Sequence, residues 1–248
     1  MTEHTPRATG PEHDNPSPAP ARSTAGQERP VCDVGVLARR LPVWEHPLPD
    51  FDPDGAPDEP VALFREWFRH AAEAGVPEPQ SMTLATAGAD GEPDARVVVL
   101  HEADEAGWHF ASHRDSAKGR DLAERPHAAL CFYWPRVGRQ VRVRGPVATA
   151  SEQASSADLH RRSPGALAAA LVGRQSRPLG SAGELARASQ DAWEQAHRDP
   201  GAPVPRWTLY TLRPAEVEFF QGDARYRRHV RLLYRRSPKG WRRGLLWP

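Results

Sequence analysis

The sequence predicts an α+β chain that is mainly β: an antiparallel sheet or barrel with peripheral helices. Three observations carry this. Short β-branched or alternating runs recur, most of them separated by turn residues rather than helices. Helical periodicity is gathered in two blocks, one ahead of the strands and one among them. No Gly-x-Gly-x-x-Gly or phosphate loop opens a strand–helix unit, so nothing indicates a doubly wound parallel sheet.

The elements follow in order. Residues 1 to about 40 are rich in Pro, Ala, Ser, Thr and charge, and cannot bury enough surface to offset their ordering entropy. Prolines continue to Pro60, interrupted by Trp44, Leu48 and Phe51, so this part is expected to lie extended along the body. We therefore read 1–57 as a disordered or extended tail and 58–248 as the folded domain. Leu63, Phe64, Trp67, Phe68, Ala71 and Ala72 have helical spacing, and Gly75 stops that helix. Met82–Thr86 and Ala95–Leu100 are strands flanking an Asp90-Gly91 hairpin signal. Gly107–Ser112 is a strand, and Ser116 caps a short helix to Leu122. Ala128–Trp134 and Gln140–Ala150 are strands, and helices span 151–160, 164–172 and 182–197. Strands return at 207–213, 215–220, 229–236 and 240–246. The alternating aromatic, basic and apolar ending predicts a buried C-terminus.

Composition narrows the classes. The net charge of +1 selects neither nucleic acid nor membrane. Two cysteines, Cys32 and Cys131, cannot frame a small disulfide fold, and Cys131 reads as a buried core thiol. With no bilayer-length apolar run and no signal-peptide pattern, a cytoplasmic protein is expected.

Several residues suit chemistry. Arg96 opens a β-branched strand, where it is either a solvated edge cation or a ligand contact. Ser112 through Arg120, including Lys118, places hydroxyls, cations and a Gly at a helix start, which suits a phosphate or an ordinary capped helix. Gln140, Gln175 and Ser176 suit hydrogen bonds to a heterocycle or a polyol chain, or plain solvent. Arg227, His229 and Arg231 alternate, so a strand there would put all three on one wall facing an anion. Lysine and arginine recur from Arg225 to Arg243 among Tyr226, Tyr234 and Trp241, as on a nucleic-acid surface or a solvated strand face. No hydrolase triad and no metal-ligand spacing is visible.

Taken in order, these pieces resemble the pyridoxamine 5'-phosphate oxidase family over roughly residues 60–248. The resemblance rests on Arg96-Val97-Val98-Val99-Leu100, Ser116-Ala117-Lys118-Gly119-Arg120, Arg139-Gln140-Val141, Gly173-Arg174-Gln175-Ser176, Val217 through Gly222, and Arg227…His229…Arg231…Tyr234. It implies an FMN-binding split β-barrel that dimerises with flavin in clefts at the subunit interface. On that pattern Arg96, Val97, Ala111, Ser112 and Lys118 contact FMN on its phosphate and ribityl side. Gln140, Phe220 and Arg231 lie by the ring, with Phe220 where the family usually has a tryptophan. Gln175 and Ser176 match a pair supplied across the interface. Arg227 and His229 match the catalytic pair facing the substrate.

Departures matter as much. His101, Asp158 and Ala166 stand where vitamin-processing members carry a lysine, a tyrosine and a serine for the substrate phosphate, leaving Arg162 of that group. One extra residue lies between Gly222 and Arg227. The run Phe110 through Ala123 and Phe132-Tyr133-Trp134 is similar to the phenazine-biosynthesis branch, whose members oxidise dihydro- or tetrahydrophenazine carboxylates. The resemblance thus implies an FMN-dependent oxidase acting with O2 on a reduced phenazine carboxylate, bound by His101, Arg162, Arg227 and His229, in a homodimer with no nucleic-acid, membrane or metal partner. The alternatives are a pyridoxine/pyridoxamine 5'-phosphate oxidase and a non-catalytic flavin- or nucleic-acid-binding split barrel.

Overall fold

The computed structural model describes residues 32–248. Residues 1–31, most of the expected tail, lie outside the described residues. The chain divides into two compact units, Met1–Leu41 and Pro42–Pro248. In the first, helix α1 (Val34–Ala38) is one short turn capped by Asp33, whose Oδ1 accepts from Val36 N–H at 2.9 Å. A helix here was not expected from composition.

The second unit begins sooner than residue 58. Its first residues have little regular structure and run extended, with Ala56 buried and Phe51 packed edge-on against Trp67 at 5.0 Å. Prolines bar these residues from a helix or ladder, so side-chain packing and hydrogen bonds to other elements seat them: Tyr234 Oη donates to Pro57 O at 2.7 Å and Arg243 to Asp54 O at 3.1 Å.

Helix α2 (Pro60–Glu73) starts with proline at its first turn, and its chain reverses at Gly75, φ +70°. The hairpin β1 (Ser81–Ala87) and β2 (Pro93–Val99) follows, then β3 (Glu102–Asp104) and β4 (Gly107–His113). Strand β3, three residues with two acids, carries no alternation and was not legible in the sequence. Ser116 caps α3 (Ala117–Glu124) by accepting from Gly119 N–H at 3.2 Å. Next come β5 (His127–Trp134), a 3₁₀ turn (Pro135–Val137), β6 (Arg139–Thr149), α4 (Glu152–His160), α5 (Pro164–Val172) and α6 (Ala182–Arg198). Strands β7 (Trp207–Leu212), β8 (Glu216–Gln221), β9 (Val230–Ser237) and β10 (Gly240–Leu246) complete the chain.

All strand pairs are antiparallel, in the order β10-β9-β8-β6-β5-β1-β2. Strand β6 belongs to two sheets: Arg139–Arg144 pairs with β8, and Val147–Thr149 pairs with β7, which carries β4 and β3. This sharing splits and curls the sheet into the expected barrel. Alternation puts Leu130, Phe132, Trp134, Val141, Val143, Val217 and Phe219 inside. Helix α2 plugs that interior, with Phe64 at 5.0 Å from Phe132 and Trp67 at 5.2 Å from Phe219. Burying each such side chain is worth about 1.5–3 kcal/mol. A second core of Leu159, Leu167, Ala168, Ala170 and Ala196 joins α4, α5 and α6.

Two expectations fail. The C-terminus is not buried within the chain: Leu245 is 63 % and Trp247 93 % exposed. Cys131 points to the outer sheet face and is only partly buried, since Leu130 and Phe132 take the inward positions.

Candidate functional site

The first group of candidates gathers where β2 and β4 meet α3. Arg96, on β2, donates to Thr86 Oγ1 at 2.6 Å and to Leu84 O at 3.3 Å, and pairs with Asp94 and, at 3.9 Å, with Asp121. Lys118 Nζ donates to Ser112 Oγ at 3.3 Å and has no carboxylate ion pair among the described residues. Burial, and then the neighbouring Arg96, push its pKa down, while Asp94 and Asp121 act the other way. Ser112, on β4 beside Ala111, also donates to Gln175 Oε1 at 3.2 Å, and Ser176 Oγ accepts from Ala117 N–H at 3.1 Å. Within one chain, the α5 terminus ending at Gly173 turns Gln175 and Ser176 back onto β4 and α3. Two adjacent cations, hydroxyls and a helix start form a donor set suited to a phosphate.

The second group is a row across the outer sheet face. Gln140 on β6 pairs with Phe220 on β8, and Phe220 pairs with Arg231 on β9. Arg231 is anchored by Nε to Glu218 Oε1 at 2.8 Å and by a terminal nitrogen to Trp247 O at 2.8 Å. The Glu218 carboxylate raises its pKa.

The expected wall of Arg227, His229 and Arg231 does not form, because β9 begins only at Val230. Arg227 sits in the β8–β9 loop, exposed, at φ +56°. The loop is organised by Asp223, whose carboxylate accepts N–H groups of Arg225, Tyr226 and Arg228 at 2.9, 3.1 and 3.0 Å. These bonds, Tyr226's first, lower its pKa. The Asp223 N–H donates to His229 Nδ1 at 3.0 Å, so the neutral ring carries its proton on Nε2. Asp223 was not singled out in the sequence; an aspartate just after a strand-ending Gly is the turn signal that marks it.

Trp44 is a second missed residue. Its ring lies 6.4 Å from Phe220 and edge-on to His229 at 5.6 Å. It fits because Gly222 has no side chain: a Cβ there would meet the indole at 2.7 Å. Leu48 likewise fills the space over Gly138, where a Cβ would meet it at 2.5 Å. The Trp44 indole N–H is buried and unpartnered.

A third group was expected to bind substrate. His101 Nδ1 lies 2.9 Å from Asp158 Oδ2, and Arg162 Nε donates to that oxygen at 3.3 Å. Burial would raise the Asp158 pKa, but the hydrogen bonds from His101 and Arg162 win and hold it at about 2. Arg162 and the His101 ring are thus both committed to an internal carboxylate.

Arg96 and Gln140 stand three strands apart on the curled sheet, on the order of 14 Å along it. No hydrogen bond joins the first group to the second among the described residues. The edge strand β2, which carries Arg96, exposes Val97 at 68 % and Val99 at 46 %.

Residues 68–219 match the family model described as pyridoxamine 5'-phosphate oxidase, and residues 207–248 match the pyridoxine 5'-phosphate oxidase C-terminal dimerisation region. The pyridoxine/pyridoxamine 5'-phosphate oxidase of Rubrobacter xylanophilus is 43% identical over 198 residues, 79% of this chain and 89% of the relative. That of Salinibacter ruber is 41% identical, covering 78% of this chain and 90% of the relative. Among solved structures, PhzG from Burkholderia lata 383, in complex with tetrahydrophenazine-1-carboxylic acid, superposes with TM-score 0.74 at 30% identity. The match covers 81% of this chain and 99% of PhzG. A pyridoxamine 5'-phosphate oxidase-related, FMN-binding protein of Nostoc punctiforme has TM-score 0.61 at 25% identity, covering 75% of this chain and 97% of its own.

Proposed function

The chain belongs to the pyridoxamine 5'-phosphate oxidase family, and on that premise we propose that it is an FMN-dependent oxidase whose substrate is a reduced phenazine carboxylate. Arg96, Lys118, Ser112 and Ser176 hold the FMN phosphate, with Gln175, Ala111 and Val97 beside them. Gln140, Phe220 and Arg231 meet the flavin ring. Bound FMN supplies hydride acceptance and reoxidation by O2. The protein supplies charge and orientation. Arg227 faces the substrate from the β8–β9 loop. His229, with Nδ1 filled by the Asp223 N–H, offers an Nε2–H that donates to substrate and steers it.

The separation of the phosphate and ring groups supports a homodimer in which one protomer's ring wall meets its partner's phosphate group. The dimerisation region at 207–248 and the exposed Val97, Val99, Leu245 and Trp247 point the same way.

The observation that carries the substrate reading is the His101–Asp158–Arg162 cluster. It occupies the positions that match the substrate-phosphate group of vitamin-processing members. Arg162 is neutralised there, and an incoming phosphate meets a carboxylate. Like unit charges at 4 Å repel by about 4 kcal/mol at an effective dielectric of 20. PhzG, with its tetrahydrophenazine ligand, supports the same reading.

The identities of 41–43% to pyridoxine/pyridoxamine 5'-phosphate oxidases favour a second reading, vitamin-phosphate oxidation. Steady-state kinetics of the FMN-loaded protein on both substrates decides between them. Efficient turnover of pyridoxamine 5'-phosphate would overturn the phenazine reading.

A further inference from the structure

Tyr133 is a large side chain left 54 % exposed on an otherwise orderly strand. Its neighbours Phe132 and Trp134 are buried, so alternation sends Tyr133 to the outer face. Its cross-strand partner on that face is Gln140. Tyr133 therefore extends the row Gln140–Phe220–Arg231 by one strand.

Beyond it opens a cavity of about 670 Å3, within the range of small-molecule sites. It is lined by Tyr133, Pro77 and Arg136 and by the extended segment carrying Trp44 and His46. The segment is tied across the cavity by His46 Nε2, 2.6 Å from Arg136 O. Trp44 also touches Phe220 and His229, so the cavity adjoins the ring wall from both sides. Two aromatic faces with apolar prolines suit a flat, fused-ring ligand.

The charge in the cavity is also specific. Arg136 is exposed in the 3₁₀ turn, and its guanidinium has no ion pair among the described residues. Glu45 is the one acid in the lining. A reduced phenazine carries ring N–H donors for Glu45 and a carboxylate for Arg136.

We propose that this cavity is the substrate's outer subsite: Tyr133 stacks on the fused rings, Trp44 closes over them, and Arg136 binds the carboxylate. The proposal rests on the phenazine reading above and names the residues that would select it. On this proposal a planar tricycle would extend from the ring wall into this cavity, and a single pyridine ring would not.

The test is calorimetric titration of the FMN-loaded dimer with phenazine-1-carboxylate and with unsubstituted phenazine. Arg136→Gln is expected to weaken the carboxylate at least tenfold and leave phenazine unchanged. Tyr133→Ala is expected to weaken both at least tenfold, and Tyr133→Phe to change neither by more than about twofold, because stacking needs the ring only. FMN content and melting temperature, measured in parallel, show that the variants are folded; Arg136→Gln and Tyr133→Phe are mild enough to stand without Tyr133→Ala. If the parent protein oxidises the reduced carboxylate and all variants bind like it, the subsite is wrong and the phenazine reading survives. If the parent protein neither binds phenazine-1-carboxylate nor oxidises its reduced form, both fall together.

Discussion

His101 and Asp158 face each other at 2.9 Å, both nearly buried, with Arg162 closing on the same carboxylate. The contact ties the strand end after β2 to helix α4, and the same carboxylate holds Arg162 in an internal ion pair. A substrate anion at this place would have to compete with Asp158 for Arg162.

Refilling that cluster is expected to change the substrate. The triple variant His101→Lys, Asp158→Tyr, Ala166→Ser removes the carboxylate and adds a cation and two hydroxyls. Each charge-assisted contact is worth about 1.5–3 kcal/mol, and about 1.4 kcal/mol is tenfold. The value of kcat/KM for pyridoxamine 5'-phosphate should rise by two orders of magnitude or more. An unchanged value in a folded, FMN-loaded triple variant would show that the cluster does not govern phosphate selection.

The same carboxylate sets a pH dependence. Asp158 titrates at about 2 in the fold, below its ordinary value of 3.8. Its ionised form therefore stabilises the fold above pH 4, by about 2 kcal/mol. That contribution is lost as pH falls from 4 through 2. Denaturant unfolding of the parent protein and Asp158→Asn should differ at pH 7 and converge near pH 2. A gap that persists at low pH would rule out the ion pair as its origin.

Lys118→Ala should weaken FMN binding by about 1.5–3 kcal/mol, the scale of one charge-assisted hydrogen bond. Reconstitution of apoprotein followed by flavin fluorescence measures it. Unchanged affinity would place the phosphate elsewhere.

Removing residues 1–40 should leave FMN content and turnover intact. Removing residues 1–57 should not, because Trp44, Leu48 and Phe51 go with it. A gentler probe is Gly222→Ala, whose Cβ would meet the Trp44 ring at 2.7 Å. It should expel Trp44 and red-shift tryptophan emission while the barrel stays folded. Emission identical to the parent protein would mean that the segment has other room.

Sedimentation should show a dimer, and Val97→Asp, on the exposed outer face, should weaken both self-association and FMN binding. A monomer that retains flavin at nanomolar concentration would disprove a shared site.

Much of this protein was determined by its sequence alone. Periodicity of two and of 3.6, with Gly, Ser and Pro as punctuation, placed fourteen of the fifteen helices and strands from α2 onward within a few residues, because these are local signals. The ordered motifs around Arg96, Lys118, Gln140 and Arg231 marked the family for the same reason. What the tertiary structure decided is non-local. Only β6 shared between two sheets, and the strand order that follows, sets Tyr133 beside Gln140 and Phe220 beside Arg231. Only folding brings His101 to Asp158 across 57 residues, or seats Trp44 on Gly222. Arg227 and His229 looked like one strand wall by spacing, but the Asp223 turn holds them in a loop. Spacing along a chain reports which faces residues share within one element, whereas pairing across elements depends on packing and register, which no local window contains.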